Sequence, residues 1–200
     1  MIPIVTPEEM RAIDAAAPEP VDELIDRAGR ATTRVALDML GGAYGRVVDV
    51  LAGGGNNGSD GRTAAMYLER RGVKVRLIDA AMRPPKLPPC DLVIDAAYGT
   101  GFRGDWIAPE IVGTNGQRPL VLAVDIPGGV DASTGEAGPG ILAADRTVTF
   151  QALKPGLVFG AGRELCGAID VVDIGLDVSS STQYLVEATD VAAWWPTRST

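Results

Sequence analysis

Val47-Val48-Asp49-Val50-Leu51-Ala52-Gly53-Gly54-Gly55-Asn56-Asn57-Gly58-Ser59-Asp60-Gly61 decides the fold of this chain. A short β-branched apolar run opens directly into glycines and asparagines, and a helical stretch over 62–71, with Ala64, Ala65, Tyr67 and Leu68, follows. Strand, glycine-rich turn and helix in that order make one unit of a parallel α/β sheet. Working outward, similar runs recur over 73–78, 92–95, 120–125, 147–150 and 168–172. The 73–78 run alternates, as a half-exposed strand does. Those over 47–52, 92–95 and 120–125 are continuous, the pattern of strands buried on both faces. A further helical segment is predicted over 106–112, interrupted at Pro109. The chain therefore reads as α/β, a doubly wound and mostly parallel sheet.

Thr6-Pro7-Glu8-Glu9 supplies a hydroxyl N-cap, proline at the first helical position and glutamate at the third. That helix carries Met10 and Ile13 and breaks near Pro18 and Pro20. A longer one follows, with Val21, Leu24, Ile25, Ala28, Ala31, Thr32, Val35 and Leu40 at three-and-four spacing, and Gly41-Gly42 stops it. The apolar face of these N-terminal helices could serve a homodimer. Met66-Tyr67-Leu68 reads as core. Near the other end, 179–182 reads as a linker, and Trp194-Trp195-Pro196 either packs back on the domain or leads into another.

Two hundred residues is the length of a single domain over 1–200. Eighteen basic against 26 acidic residues give a net charge of −8, which argues against a nucleic-acid backbone or an anionic membrane as the main partner. The chain has no histidine, so a Ser-His-Asp or Cys-His nucleophile system and a His-ligated zinc are excluded. Cys90 and Cys166 lie far apart without metal spacing and read as structural. Residues 1–9 show neither a basic start nor an apolar signal core, and no apolar stretch nears the roughly 18 residues of a spanning helix. The expectation is a cytoplasmic domain with a small-molecule substrate.

Three segments bear chemistry. Gly53 to Gly61 fits the Gly-x-Gly-x-x-Gly dinucleotide pattern, with Asp79 about 20 residues onward. Alone this is weak evidence, and the plainer reading is a glycine-rich strand-to-helix turn that binds nothing. Asp60 near the helix start would compete with a pyrophosphate for the positive end of the dipole, and Asn56 and Asn57 suit a polar ligand or a hard cation. The second segment, Asp95-Ala96-Ala97-Tyr98-Gly99-Thr100-Gly101-Phe102-Arg103-Gly104-Asp105, closes a strand with a carboxylate and offers Arg103 to phosphate. The third repeats the arrangement as Asp125-Ile126-Pro127-Gly128-Gly129. All three loops open on one edge of the sheet, where ligands of such folds bind. Lys154-Pro155-Gly156 follows the next strand, and Lys154 is one of only three lysines.

Taken in order, these segments resemble the NAD(P)H-hydrate epimerase family. The resemblance rests on 55–61, 95–104, Val124-Asp125-Ile126-Pro127, Ala144 to Phe150, Lys154-Pro155-Gly156 and Val172-Asp173-Ile174-Gly175, with Arg27-Ala28-Gly29 in the second helix. It implies a three-layer Rossmann-like fold with N-terminal helices. The implied activity is interconversion of the R and S forms of hydrated NADH or NADPH, with a fused or separate dehydratase acting on the S form. By the resemblance, Asn56, Asn57, Gly58, Ser59 and Asp60, together with Gly99, Thr100, Gly101, Phe102, Arg103, Gly104 and Asp105, hold the substrate, with Asp125 beside its altered ring. Asn57 and Asp95 match potassium ligands. The third potassium position, a serine in the family, is Gly128 here, and Ser59 replaces a usual glycine.

The implied chemistry needs one acid/base, for which Asp125 is the candidate, with Lys154 orienting it or a water. Two rivals remain at this point: an NAD-dependent dehydrogenase using the glycine pattern and Asp79, and a member of the same fold that binds nucleotide or protein without turnover.

Overall fold

The computed structural model describes residues 1–114 and 116–195. In chain order its elements are β1 (Ile2–Ile4), α1 (Pro7–Ala16), α2 (Val21–Leu40), β2 (Val47–Ala52), α3 (Asn56–Arg70), β3 (Lys74–Asp79), a 3-10 turn (Ala80–Met82), β4 (Leu92–Ala96), β5 (Leu120–Val124), β6 (Arg146–Phe150), α4 (Pro155–Val158), α5 (Gly160–Leu165), β7 (Ala168–Val172), β8 (Gln183–Leu185) and α6 (Ala188–Trp194). Six strands form a parallel sheet in the order β3-β2-β4-β5-β6-β7, while β1 pairs antiparallel with β8. The alternating strand β3 sits at an edge, and the continuous runs β2, β4 and β5 lie inside.

The period of two along each strand divides the core. Val48 and Val50, Leu92 and Ile94, Leu122 and Val124, and Val148 and Phe150 share one cluster with Leu24, Ala28 and Val35 of α2 and Leu68 of α3. Their strand neighbours Leu51, Val93, Val121 and Ala123 face a second cluster with Leu87, Cys90 and Ala144. A third gathers Ile126, Val130, Leu153, Leu157 and Cys166 beneath α4 and α5. The three layers are thus α2 with α3, the sheet, and a layer of long loops with two short helices. The apolar face of α2 is engaged in this core.

Local signals explain the helix ends. Thr6 Oγ1 accepts from the Glu9 amide at 3.2 Å and Glu9 Oε2 from the Thr6 amide at 2.7 Å, a complete capping box. Helix α2 ends on Gly41 in the left-handed region at φ 65°.

Several expectations are corrected. Helix α3 begins at Asn56, six residues before the predicted 62, so the Asn-Gly stretch forms the helix itself. A Cβ on Gly58 would stand 1.9 Å from the Gly53 carbonyl oxygen, and one on Gly61 2.5 Å from the Ala96 Cβ, so these glycines seat the helix start hard against β2 and β4. The segment 106–112 is extended rather than helical. Its amides go outward, Ala108 to the Gly140 carbonyl and Glu110 to that of Pro85, while Pro109 has no donor to give a helix. The 179–182 stretch stays outside any helix or strand, as a linker does, and Gln183–Leu185 after it forms β8. Met66 is exposed, Tyr67 is half-buried with its hydroxyl on Asp26, and only Leu68 of that trio is core. Trp194 and Trp195 are 59% and 74% exposed and do not pack back; Pro196 lies outside the described residues. Among the described residues, no helix is long and apolar enough to cross a membrane.

Candidate active site

A cleft of about 730 Å³ lies between the C-terminal ends of β2, β4 and β5 and the N-terminal helices. Asp125, the residue directly after β5, reaches it. The Ile126 amide bonds the Val124 carbonyl at 2.9 Å, making Asp125 the centre of a γ-turn with φ 69°. A non-glycine residue there costs about 1–3 kcal/mol, a strain typical of functional positions. Gln151, at the end of the adjacent β6, repeats the turn with φ 64°, and the Ala152 amide reaches the Phe150 carbonyl at 2.8 Å. Its side-chain oxygen then accepts from the Ile174 and Leu176 amides, holding the segment that forms the far wall of the cleft.

The Asp125 carboxylate is held from three sides. Oδ1 lies 2.7 Å from Lys154 Nζ and accepts from the Thr149 hydroxyl at 3.3 Å. Oδ2 accepts from the Thr100 amide at 3.2 Å. Lys154 is only 1% exposed and also donates to Thr149 Oγ1 at 2.8 Å and to the Phe150 carbonyl at 3.1 Å. A fully satisfied buried ion pair of this kind is rigid, because losing either partner would strand a charge.

Two more carboxyls face the same pair. Asp60 is 8% exposed, lines the cleft and, among the described residues, has no hydrogen-bond or ion-pair partner. Burial, then the negative charges of Asp125 and Asp14, push its pKa up to about 8, against a smaller opposing pull from Lys154. Asp14, on the cleft side of α1 with Met10 one turn before it, is also raised, first by desolvation.

Behind the cleft, Asp95 at the end of β4 is buried, accepting from the Gly128 amide at 2.9 Å and the Ala97 amide at 3.2 Å. Burial raises its pKa, and no cationic side chain among the described residues is paired with it. Asn57 has both side-chain amide atoms buried without a partner among the described residues. A Cβ on Gly128 would come within 3.0 Å of both Asp95 oxygens, so the missing side chain is what lets the carboxylate reach the backbone amide.

Of the residues singled out in the sequence, the fold gathers Asn56, Asn57, Asp60, Gly99, Thr100, Gly101, Phe102, Arg103, Asp125 and Lys154 around the cleft. Gly58 and Ser59 are engaged in the α3 backbone, and Gly104 and Asp105 lie farther along the loop, outside the lining. Asp95 and Gly128 sit one layer deeper. Arg103 donates to the Phe102 and Thr100 carbonyls of its own loop. Sequence reasoning missed Asp14, Thr149 and Gln151. The first could have been found from the Met10–Asp14 spacing on one helix face; the other two have no local signal.

The dinucleotide reading fares poorly. A Cβ on Gly53 would stand 1.9 Å from the Ala97 carbonyl oxygen, so these glycines serve chain packing. Asp79 caps the following turn, accepting from the Ala81 amide at 2.9 Å, and does not line the cleft.

Residues 21–87 and 78–156 match the family of the YjeF-related protein N-terminus. The chain belongs to this family. It is 38% identical to an NAD(P)H-hydrate epimerase of Clavibacter sepedonicus, covering 66% of this chain and 74% of that protein. A second NAD(P)H-hydrate epimerase, from Rhodopirellula baltica, is 29% identical across 92% of this chain and 89% of its own. The bifunctional NAD(P)H-hydrate repair enzyme Nnr of Escherichia coli is 34% identical over 78% of this chain, which spans 35% of that longer protein. The crystal structure of yeast ynu0 superposes with a TM-score of 0.62 at 18% identity, covering 85% of this chain and 87% of the yeast one, and supports the fold.

Proposed function

We propose that this cleft interconverts the R and S forms of hydrated NADH or NADPH by loss and re-addition of the hydroxyl at C6 of the nicotinamide ring. The observation that carries this reading is the match to two NAD(P)H-hydrate epimerases across most of both chains. The cleft adds chemical sense to it. C6 of the hydrated ring adjoins N1, whose lone pair can expel the hydroxyl once it is protonated. The resulting iminium is planar, so water can return on the opposite face.

Asp125 and Lys154 are the catalytic pair of this reading. The carboxylate of Asp125, fixed by Lys154, Thr149 and the Thr100 amide, offers a preorganised negative charge to the cationic ring and a base for the returning water. Asn56 and Asn57 open α3, whose first amides have no partner within the helix and suit the pyrophosphate, with Arg103 across the cleft.

A potassium ion belongs to the proposal. The unpartnered Asn57 amide and the buried, cation-free Asp95 carboxylate fit a hard monovalent cation held by oxygens. A backbone carbonyl or water would take the place of the hydroxyl that Gly128 lacks. The ion would supply positive charge that neutralises Asp95 and fixes the turn bearing Asn57. The bifunctional relatives support a dehydratase, fused or separate, as the enzyme that consumes the S product.

The test is a coupled assay. R-form hydrated NADH is mixed with the protein and an S-specific dehydratase, with and without potassium, and the return of NADH absorbance is followed. Acceleration over the spontaneous rate is expected; none from folded protein would refute the reading and favour binding without turnover.

A further inference from the structure

The cleft holds two carboxyls in opposite circumstances. Asp125 has both oxygens occupied by donors, one of them the Lys154 ammonium at 2.7 Å. Among the described residues Asp60 has none, although it is more than nine-tenths buried and borders the same cavity. A buried carboxyl without a donor cannot keep its negative charge cheaply, whereas it can keep a proton. The backbone that carries Asp60 is rigidly seated, because Gly58 and Gly61 on either side of it press α3 against Gly53 and Ala96 with no room for a Cβ. A proton donor has to be held in this way, by an element that does not move when the substrate arrives.

We propose that Asp60 is a catalytic residue, the acid that protonates the departing C6 hydroxyl, with the Lys154-held carboxylate of Asp125 as its complementary base. This rests on the epimerase reading above and deepens it. The Asp60 proton passes to the C6 oxygen, the C6–O bond breaks with its electron pair leaving as water, and the N1 lone pair forms the C6–N1 double bond. Water then attacks C6 from the other face, the double-bond pair returns to N1, and the attacking water gives its proton to Asp125. Exchange with solvent through the open cleft moves that proton back to Asp60. Inversion of the opposite epimer runs the same steps in reverse. Two carboxyls in unlike surroundings, one held by donors and one without them, are the usual structural basis of such a division.

The groups facing Asp60 are Asp14 from α1, Asp125 from the end of β5 and Lys154 from the start of α4. Asp14 and Asp125 favour the proton on Asp60, and Lys154 opposes it.

The experiment measures epimerisation across pH for the wild type, Asp60→Asn and Asp14→Asn. For the wild type, kcat/KM should fall on an alkaline limb near pH 8, the pKa to which Asp60 is pushed. Asp60→Asn, a neutral near-isostere, should fold, lose about 10²- to 10⁴-fold in kcat and lose that limb. A purely structural or substrate-holding role would instead raise KM or lower stability and leave the limb in place. Asp14→Asn, which removes a neighbouring negative charge, should shift the limb to lower pH. The assignment is overturned if Asp60→Asn keeps kcat within about threefold, or if neither variant moves the limb. A wild type that does not epimerise at all overturns the functional reading, and the assignment with it.

Discussion

Asp49 and Asp60 are both buried carboxyls on neighbouring elements of one α/β unit, and they have opposite fates. Asp49 lies mid-strand in β2 and receives two bonds from Arg76 of β3, at 2.5 and 3.0 Å. Arg76 is pinned in turn to the Pro88 and Pro89 carbonyls, so the pair clips a connecting loop to the sheet edge. Burial raises the Asp49 pKa, but the arginine pulls it back. Asp60, past the carboxyl end of the same strand, has no arginine partner among the described residues and opens on the cleft. The difference teaches that burial of a carboxyl says little about function by itself. Its partners, and whether a cavity reaches it, decide between a clip and a proton donor.

The comparison can be broken most violently at Lys154. Lys154→Met should abolish most turnover, about 10³-fold in kcat, because it frees Asp125 from its orientation. It should also cost about 3–5 kcal/mol in chemical denaturation, since a carboxylate is left buried. Arg76→Met should give a stability loss of the same order, about 3–5 kcal/mol, yet leave kcat within about twofold. If Arg76→Met were as inactive as Lys154→Met while still folded, the distinction between clip and site would fail.

A milder test uses pH. Burial pushes the Asp60 pKa from the ordinary 3.8 up to about 8, so the folded protein binds more protons than the unfolded one between these limits. Its contribution to stability must therefore decline as pH rises through that window. Asp60→Asn removes this slope, and the difference between the two unfolding curves should widen in favour of the variant toward pH 8. A difference that stays constant with pH would count against a protonated Asp60.

Potassium offers a smaller effect. Replacing it with choline should lower the thermal midpoint by the equivalent of about 1–3 kcal/mol, and Asp95→Asn should erase the salt-specific difference. Equal midpoints in both salts would remove the ion from the account. Smallest of all, Thr6→Ala should cost about 1 kcal/mol in unfolding with no change in kcat, since it removes only the α1 cap.

Much of this molecule was legible locally. Capping at Thr6 and Glu9, the three-and-four spacing of α2 and the continuous runs of β2, β4 and β5 each state their structure within a few residues. The strand-end loops at Gly53, Asp95 and Asp125 were legible too, because parallel strands bring their carboxyl ends to one edge. What could not be read depends on distant partners. The extended path of 106–112 is set by carbonyls of Pro85 and Gly140 rather than by its own periodicity. The early start of α3 depends on glycines packed against β2 and β4, which are distant in sequence, and the Thr149 bridge between Asp125 and Lys154 on the ends of β5 and β6 meeting the start of α4.

The central claim, inversion by loss and return of the C6 hydroxyl, is tested most directly with labelled water. Pure R-form hydrated NADH is incubated with the protein in H2(18)O, and the S product is resolved and weighed by mass spectrometry. The account predicts one heavy oxygen in each newly formed S molecule. Inversion with the original oxygen retained would mean that the ring opens at N1–C6 and recloses, and would contradict it.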